Sequence, residues 1–204
     1  MELEESALIE AARCGDAEAF GVIVSRYMPK ALAYARQLTG NSEDAQDLVQ
    51  DAFIKAYKGL GSFKGESRFN TWFFRVLSNV CLDHLRKASF LKKVFFFSAG
   101  GGDEEAKDPL ETAPDTHPSS SPDMGLEQKE LRAALEKALG ALPARQRAVF
   151  LLKHNEGMTL MEIAAVLGIS EGAVKSHLAR AVTALRKGMK EYRGGRQLER
   201  GRIV

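Results

Sequence analysis

Residues 159–181 constrain the fold more than any other stretch, because they specify two short helices separated by a glycine turn. Thr159, followed three residues later by Glu162, predicts a capping box at the start of the first helix. Gly168 predicts the end of that helix, since glycine adopts the left-handed conformation of a helix terminus without steric cost. Ser170 can cap a second helix by accepting a bond from a free backbone N–H. The pattern predicts a helix-turn-helix.

The second predicted helix has an apolar inner side and a basic outer side. Val174, Leu178 and Ala181 follow helical spacing and are expected to face inward. The outer side has no carboxylate after the first turn, and it presents Lys175, Ser176, His177 and Arg180. Such a face suits duplex DNA, whose major groove admits an α-helix. An ordinary helical bundle is the alternative, since it also contains amphipathic helices joined by glycine turns.

Charged residues are segregated along the 204-residue chain, although its net charge is only +2. Residues 61–93 carry seven basic and two acidic side chains, and residues 131–204 carry 14 and six. Residues 94–130 carry two basic and nine acidic side chains. The two basic blocks predict two surfaces that contact nucleic acid, whereas the acidic block should avoid duplex phosphates.

Several classes of protein are excluded by simple patterns. No apolar run approaches the roughly 20 residues of a membrane span, and Glu2, Glu4 and Glu5 replace the basic start of a signal peptide. We therefore expect a cytoplasmic protein. Cys14 and Cys81 lack Cys-x-x-Cys spacing and are expected to be buried, reduced thiols without metal. No catalytic or phosphate-binding motif occurs, so neither enzymatic activity nor a cofactor is expected.

Helical periodicity predicts an all-α protein with two small domains joined by a flexible acidic linker. The expected domains are residues 1–93 and 127–193, followed by a frayed basic tail at 194–204. Residues 94–126 are rich in glycine, proline, serine and acid, which is typical of linkers.

In the N-terminal domain, helices are expected at about residues 17–38, 43–60 and 67–87. Pro29 is expected to kink or divide the first of these. The run Phe95–Phe97 is expected to extend the last helix and pack on the domain, with a docking element as the alternative.

The helix at 43–60 has an acidic stripe formed by Glu43, Asp44, Asp47, Gln50 and Asp51. A solvated face is one interpretation of this stripe, and a docking surface for a basic partner is the other.

The helix at 67–87 combines aromatic residues with basic and amide residues, as do proteins that hold single-stranded DNA by stacking and positive charge. Phe63 and Phe69 flank a glycine-containing loop and could form a pocket for an unstacked base. Phe69, Trp72 and Phe73 equally suit a hydrophobic core. A basic and amide surface with no acid opposite is expected from Arg75, Asn79, Arg86 and Lys87.

Together these motifs resemble the sigma factors of bacterial RNA polymerase. Residues 44–57, Phe63, Thr71 with Trp72, and residues 83–86 resemble region 2 of these factors, and residues 142–187 resemble region 4. A chain with these two regions alone, separated by a linker, resembles the extracytoplasmic-function group.

The resemblance implies a transcription initiation factor that directs core RNA polymerase to specific promoters. It implies docking on the β′ clamp helices through Asp44, Asp47, Leu48, Gln50, Asp51 and Phe53. It implies that the promoter −10 element is melted and a flipped base captured by Phe63, Lys64, Ser67, Arg68, Thr71, Trp72, Arg75 and Asn79. It implies reading of the −35 element as duplex, beside the β flap, by Ser170, Lys175, Ser176, His177 and Arg180.

The resemblance also implies an anti-sigma partner and a linker that passes near the RNA exit path. His177 stands where many relatives have arginine, which weakens the assignment of a base contact there.

The alternative function is a stand-alone helix-turn-helix regulator that binds duplex DNA as a dimer. Such a regulator needs a dimerisation or effector domain in residues 1–93, in place of the acidic and aromatic–basic helices.

Overall fold

The computed structural model describes residues 2–98 and 126–200, and within these ranges the chain forms helices and no strand. The helices are α1 (Glu2–Arg13), α2 (Ala17–Thr39), α3 (Ser42–Gly59), α4 (Phe69–Ser98), α5 (Leu126–Gly140), α6 (Ala144–His154), α7 (Leu160–Leu167) and α8 (Glu171–Arg200). A short 3₁₀ turn, Leu60–Ser62, follows α3. The predicted all-α fold class is confirmed.

Short polar side chains and glycine set the ends of α2 and α3. The Asp16 carboxylate accepts hydrogen bonds from two free backbone N–H groups at the start of α2. Gly40 ends α2 in the left-handed conformation, with φ 77°. The Asn41 side chain then caps α3. α2 continues through Pro29, so of the two predicted effects, a kink or a division, the division does not occur. Pro29 lies on the exposed side, while the buried residues Tyr27 and Ala31 keep one continuous inner face.

α4 is longer than expected, because it starts at Phe69 and continues to Ser98. It includes Phe95–Phe97, so the predicted helical extension is confirmed, and the side chains of these three residues lie outside the described part. Residues 94–98, expected in the linker, are therefore helical, while 99–125 lie outside the described ranges. Likewise α8 continues to Arg200, through most of the tail that was expected to fray.

The two cysteines differ in environment. Cys81 is fully buried in α4, and burial raises the pKa of its thiol to about 12. Cys14 is exposed just after the end of α1, so the expectation that both thiols are buried is wrong for this residue. Both thiols are free, as expected. Within the described ranges, no helix is long and apolar enough to cross a bilayer.

The N- and C-terminal halves pack against each other instead of standing apart. α4 contacts α7, and α2 contacts α5 and α6. One continuous hydrophobic core includes Tyr34 and Leu77 from the first half and Leu151 and Ile163 from the second. A smaller core between α5 and α8 includes Leu139, Leu142, Ala181 and Leu185. The charged and aromatic surfaces expected from the sequence are thus placed on one packed unit.

Candidate nucleic-acid interface

The helix-turn-helix forms as predicted from residue 159 onward. The Thr159 hydroxyl accepts a hydrogen bond from the Glu162 backbone N–H at 3.2 Å, and the Glu162 carboxylate accepts one from the Thr159 backbone N–H at 2.8 Å. The carboxylate also accepts a hydrogen bond from the Thr159 hydroxyl at 2.8 Å, and these two bonds to the carboxylate hold the pKa of Glu162 below its ordinary value. Gly168 ends α7 with φ 64°, and the Ser170 hydroxyl caps α8 by accepting from the Ala173 backbone N–H. α8 therefore starts at a fixed position.

The outer side of α8 is open to solvent. Lys175, Ser176 and Arg180 are exposed, whereas Val174 and Ala181 on the opposite side are fully buried. His177 is half-buried, so it projects less freely than predicted. The exposed residues supply positive charge and a hydroxyl, as a contact with phosphate and base edges requires.

The aromatic residues near the start of α4 form a packed cluster. The Phe63 and Phe69 rings meet edge to face with their centroids 5.8 Å apart, and both residues are buried. The expected base pocket between these two rings is therefore closed in this arrangement. Trp72 tilts against both rings and is half-buried, which leaves part of its surface accessible for stacking.

Polar residues surround this cluster with differing accessibility. Lys64, Ser67, Arg68 and Arg75 are exposed. The expectation that Arg86 faces no acid is wrong, because Asp83 accepts its hydrogen bond at 2.8 Å. Residues three apart on a helix are neighbours on its surface, which accounts for this pairing.

One side of α4 meets the C-terminal half of the protein. The Thr71 hydroxyl donates to the Glu162 carboxylate at 3.3 Å, and Thr71 is only 6% exposed. Two turns later Asn79 lines a cleft of about 60 Å³, shared with Arg145 and Leu167. Two of the residues predicted to contact the −10 element therefore lie at the contact between the halves.

The six residues predicted for polymerase docking divide into exposed and buried groups. Asp47, Gln50 and Asp51 are exposed on α3. Leu48 and Phe53 are buried on the inner side of the same helix, so they support the surface from within. Asp44 is half-buried, and its carboxylate lies 3.4 Å from Nε2 of His84 on α4.

Sequence reasoning missed two apolar members of this surface. Ile54 and Tyr57 follow Gln50 at i+4 and i+7 on α3 and are 46% and 45% exposed. Large apolar side chains beside exposed charges are frequent in protein interaction sites. Their helical spacing from Gln50 was the signal that could have identified them.

Comparison with known protein families gives a match in the N-terminal half of the chain and another in the C-terminal half. Residues 23–90 match the family model for sigma-70 region 2, and residues 132–185 match the model for sigma-70 region 4. The chain belongs to the sigma-70 family. The resemblance to sigma factors that the sequence motifs indicated is thereby confirmed. The alternative function, a stand-alone DNA-binding regulator, is not favoured.

Named relatives refine the group to which this sigma factor belongs. It is 33% identical to the ECF RNA polymerase sigma factor SigM of Mycobacterium tuberculosis, over 88% of this chain and 82% of SigM. It is 30% identical to the ECF sigma-E factor of Escherichia coli, over 90% and 93%. It is also 30% identical to the sigma-H factor of Pseudomonas aeruginosa, over 91% and 94%. The extracytoplasmic-function (ECF) group is confirmed.

Two solved structures share the fold of this sigma factor. One is CnrH in complex with the cytosolic domain of CnrY, with a TM-score of 0.63 and 26% identity over 92% of this chain and 98% of that one. Another is RpoE in complex with the anti-sigma factor NepR from Bartonella quintana, with a TM-score of 0.61 and 26% identity over 85% and 98%.

A half-buried acid lies where the loop after α6 approaches α2. Oε2 of Glu156 is buried and has no hydrogen-bond partner among the described residues. Burial raises the pKa of Glu156 above its ordinary value, and the positive charge of Lys30 on α2 partly opposes this effect. The folded protein therefore favours the protonated form of Glu156 more than the unfolded chain does.

Glu156→Gln should stabilise the folded protein at neutral pH, and the gain should shrink in acid. A pKa raised on folding contributes stability below the unfolded pKa, and that contribution is lost as pH rises through the folded pKa. Urea unfolding of both proteins from about pH 4 to about pH 8 measures the difference. Glu66→Gln, at an exposed loop position, controls for the loss of one charge. A difference independent of pH would contradict the assignment.

Proposed function

We propose that this sigma factor joins core RNA polymerase through α3 and reads promoters with two separate surfaces, one on α4 and one on α8. The open face of α8, which is capped by Ser170, presents Lys175, Ser176 and Arg180 and has its one acid, Glu171, confined to the first turn, is the observation that carries this proposal. The match to sigma-70 region 2 over residues 23–90, which includes α3 and the first part of α4, supports the other two surfaces.

Docking is assigned to the exposed side of α3. Asp47 and Asp51 provide negative charge one helical turn apart, and Gln50 lies between them. Ile54 and Tyr57 add apolar area to the same side. An acidic patch with exposed apolar residues complements a basic helical partner, which we assign as the β′ clamp helices.

Capture of the −10 element is assigned to the loop before α4 and the start of that helix. Lys64, Arg68 and Arg75 are exposed cations suited to the phosphates of a single strand. Trp72 provides an accessible aromatic surface on which an unstacked base can lie. The rings of Phe63 and Phe69 pack against the Trp72 ring and fix its position.

Reading of the −35 element is assigned to α8, beside the β flap of the polymerase. Arg180 can donate two hydrogen bonds to a guanine edge, while Lys175 suits a phosphate. The half-buried position of His177 makes it a minor contributor. A small recognition face is sufficient, because polymerase contacts add to the affinity of the whole complex.

We further propose that an anti-sigma factor regulates the chain in the cytoplasm, where it meets polymerase. Both named structural neighbours were solved with a bound partner, CnrY in one case and the anti-sigma factor NepR in the other. The prediction that the acidic linker passes near the RNA exit path concerns residues 99–125, which lie outside the described ranges.

Run-off transcription tests the function directly. Core RNA polymerase with this protein should produce transcripts from a subset of promoters in the source genome, and core alone should not. Absence of any promoter-specific transcript would contradict the proposal. Sequence-specific binding of the isolated protein to duplex DNA as a dimer, in that case, would support the stand-alone regulator instead.

Asp51→Lys should weaken binding to core polymerase while leaving the protein folded, because Asp51 is exposed and its charge would then repel a basic partner. Co-purification with core polymerase measures binding, and circular dichroism measures folding. Glu18→Lys, an equivalent charge reversal on exposed α2 surface, is the matched control. Equal recovery of both variants with core would remove Asp51 from the docking surface.

Arg180→Ala should lower affinity for the −35 element by roughly 1–3 kcal/mol if the side chain contacts a base edge. Binding of the holoenzyme to promoters with and without substitutions in that element measures the effect. Arg186→Ala removes an exposed arginine further along α8 and should change affinity less. An unchanged footprint and promoter preference would exclude Arg180 from the site.

A further inference from the structure

α8 carries an exposed polar row that continues well beyond the residues assigned to the −35 element. Ser176, Arg180, Thr183, Lys187 and Lys190 follow one another at spacings of four and three residues in turn, and all five are exposed. Such spacing places them along one side of the helix. The face that presents Arg180 is thus the beginning of a longer surface, and Lys187 with Lys190 is the part that has no assigned role.

The far part of α8 is held by packing on α5. Leu185 is only 6% exposed and shares a small core with Leu139 of α5. Gly188 then allows the two helices to approach closely, since a Cβ added there would lie 3.2 Å from the Cβ of Ala138. By helical spacing, Leu185 is on the side of α8 opposite the polar row. The two lysines are therefore fixed on the outer side of a packed helix.

The charge of this row suits the phosphate backbone of nucleic acid. α8 contains no acid between Glu171 and Glu191, so nothing in that stretch of the sequence offsets the positive charge. Lysine binds phosphate as a point charge, whereas reading of base edges depends on side chains with fixed hydrogen-bonding geometry. Phosphate contacts position a protein on the duplex and carry no sequence information. The lysines are thus suited to affinity and position more than to promoter choice.

The length of α8 places the lysines at the edge of the groove. In a helix-turn-helix, the N-terminal residues of the second helix contact the base edges. At about 1.5 Å per residue, Lys190 lies about 15 Å along the helix from Arg180. The major groove is only about 12 Å wide. A helix that enters the groove at its start therefore carries Lys187 and Lys190 towards the rim, where the phosphates lie.

We propose that Lys187 and Lys190 bind backbone phosphates of the duplex beside the −35 element and supply affinity that is independent of sequence. This inference rests on the proposed reading of that element by α8. The sigma-70 region 4 match ends at residue 185, so both lysines lie beyond the part of the chain that it covers. Continuity of the row with Arg180 favours DNA as the partner over an acidic protein surface.

The salt dependence of promoter binding tests the proposal. The double variant Lys187→Gln/Lys190→Gln removes both charges and keeps two good helix formers. Holoenzyme made with the full chain is bound to a promoter duplex, and the logarithm of affinity is plotted against the logarithm of KCl concentration. The slope should become shallower by about two, since each phosphate contact contributes roughly 0.9. Affinity should fall by the same factor when the −35 bases are substituted, so promoter preference is unchanged.

Lys187→Arg/Lys190→Arg should restore the slope, because arginine keeps the charge. Lys137→Gln removes an exposed lysine from α5 and is the matched control, with no expected change in slope. The proposal is wrong if the double glutamine variant keeps the original slope, or if Lys137→Gln flattens it equally. Loss of −35 preference would place the lysines at base edges and contradict it as well.

Two further outcomes separate this proposal from its alternatives. Weaker co-purification of the double variant with core polymerase, at an unchanged salt slope, would assign the row to an acidic protein surface and overturn the DNA assignment. Absence of promoter-specific transcription by the unmodified protein would instead overturn the proposed function.

Discussion

The buried guanidinium of Arg147 holds together parts of the protein that the chain separates widely. It is fully buried, and it donates to Gly140 and Leu142 within its own half and to Leu38 at the end of α2. Taking a charge out of water is costly, and here three carbonyl oxygens replace the hydration of the two Nη groups, while the buried Nε has no hydrogen-bond partner among the described residues. Arginine suits this position because its planar fork donates in several fixed directions at once, which a lysine ammonium does not match.

The packing of α4 explains how the residues assigned to the −10 element are held in place. Its inner side supplies Phe73, Phe74 and Leu77 to the core, and its outer side carries the residues assigned to the −10 element. A rigid helix packed along its length fixes those side chains well. Thr71 on this helix is covered by its contact with Glu162, whereas Arg75 and Asn79 are exposed. In α8 the core contacts and the exposed residues are also on opposite sides, but the described packing leaves Lys175 and Arg180 open.

Local patterns predicted the secondary structure and the helix-turn-helix because caps act within a few residues. The capping box from Thr159 to Glu162 and the left-handed Gly168 formed as expected. The site was less predictable. Leu48 and Phe53 belong to a matching family motif, yet both are buried, with the Phe53 ring stacked on Phe73 of α4. Motif membership does not distinguish a residue that contacts a partner from one that supports the surface.

The sequence by itself determined the all-α class, both ends of α7 and the start of α8, the order of regions 2 and 4, and hence the family and its role in transcription. Each of these depends on neighbouring residues or on spacing along one helix. The tertiary structure alone decided that the halves close on each other, that Thr71 is covered and that Glu156 is half-buried beside α2. The bonds responsible join residues 91 and 109 positions apart, Thr71 to Glu162 and Leu38 to Arg147. No local pattern encodes such pairs, because they form only after whole helices have packed.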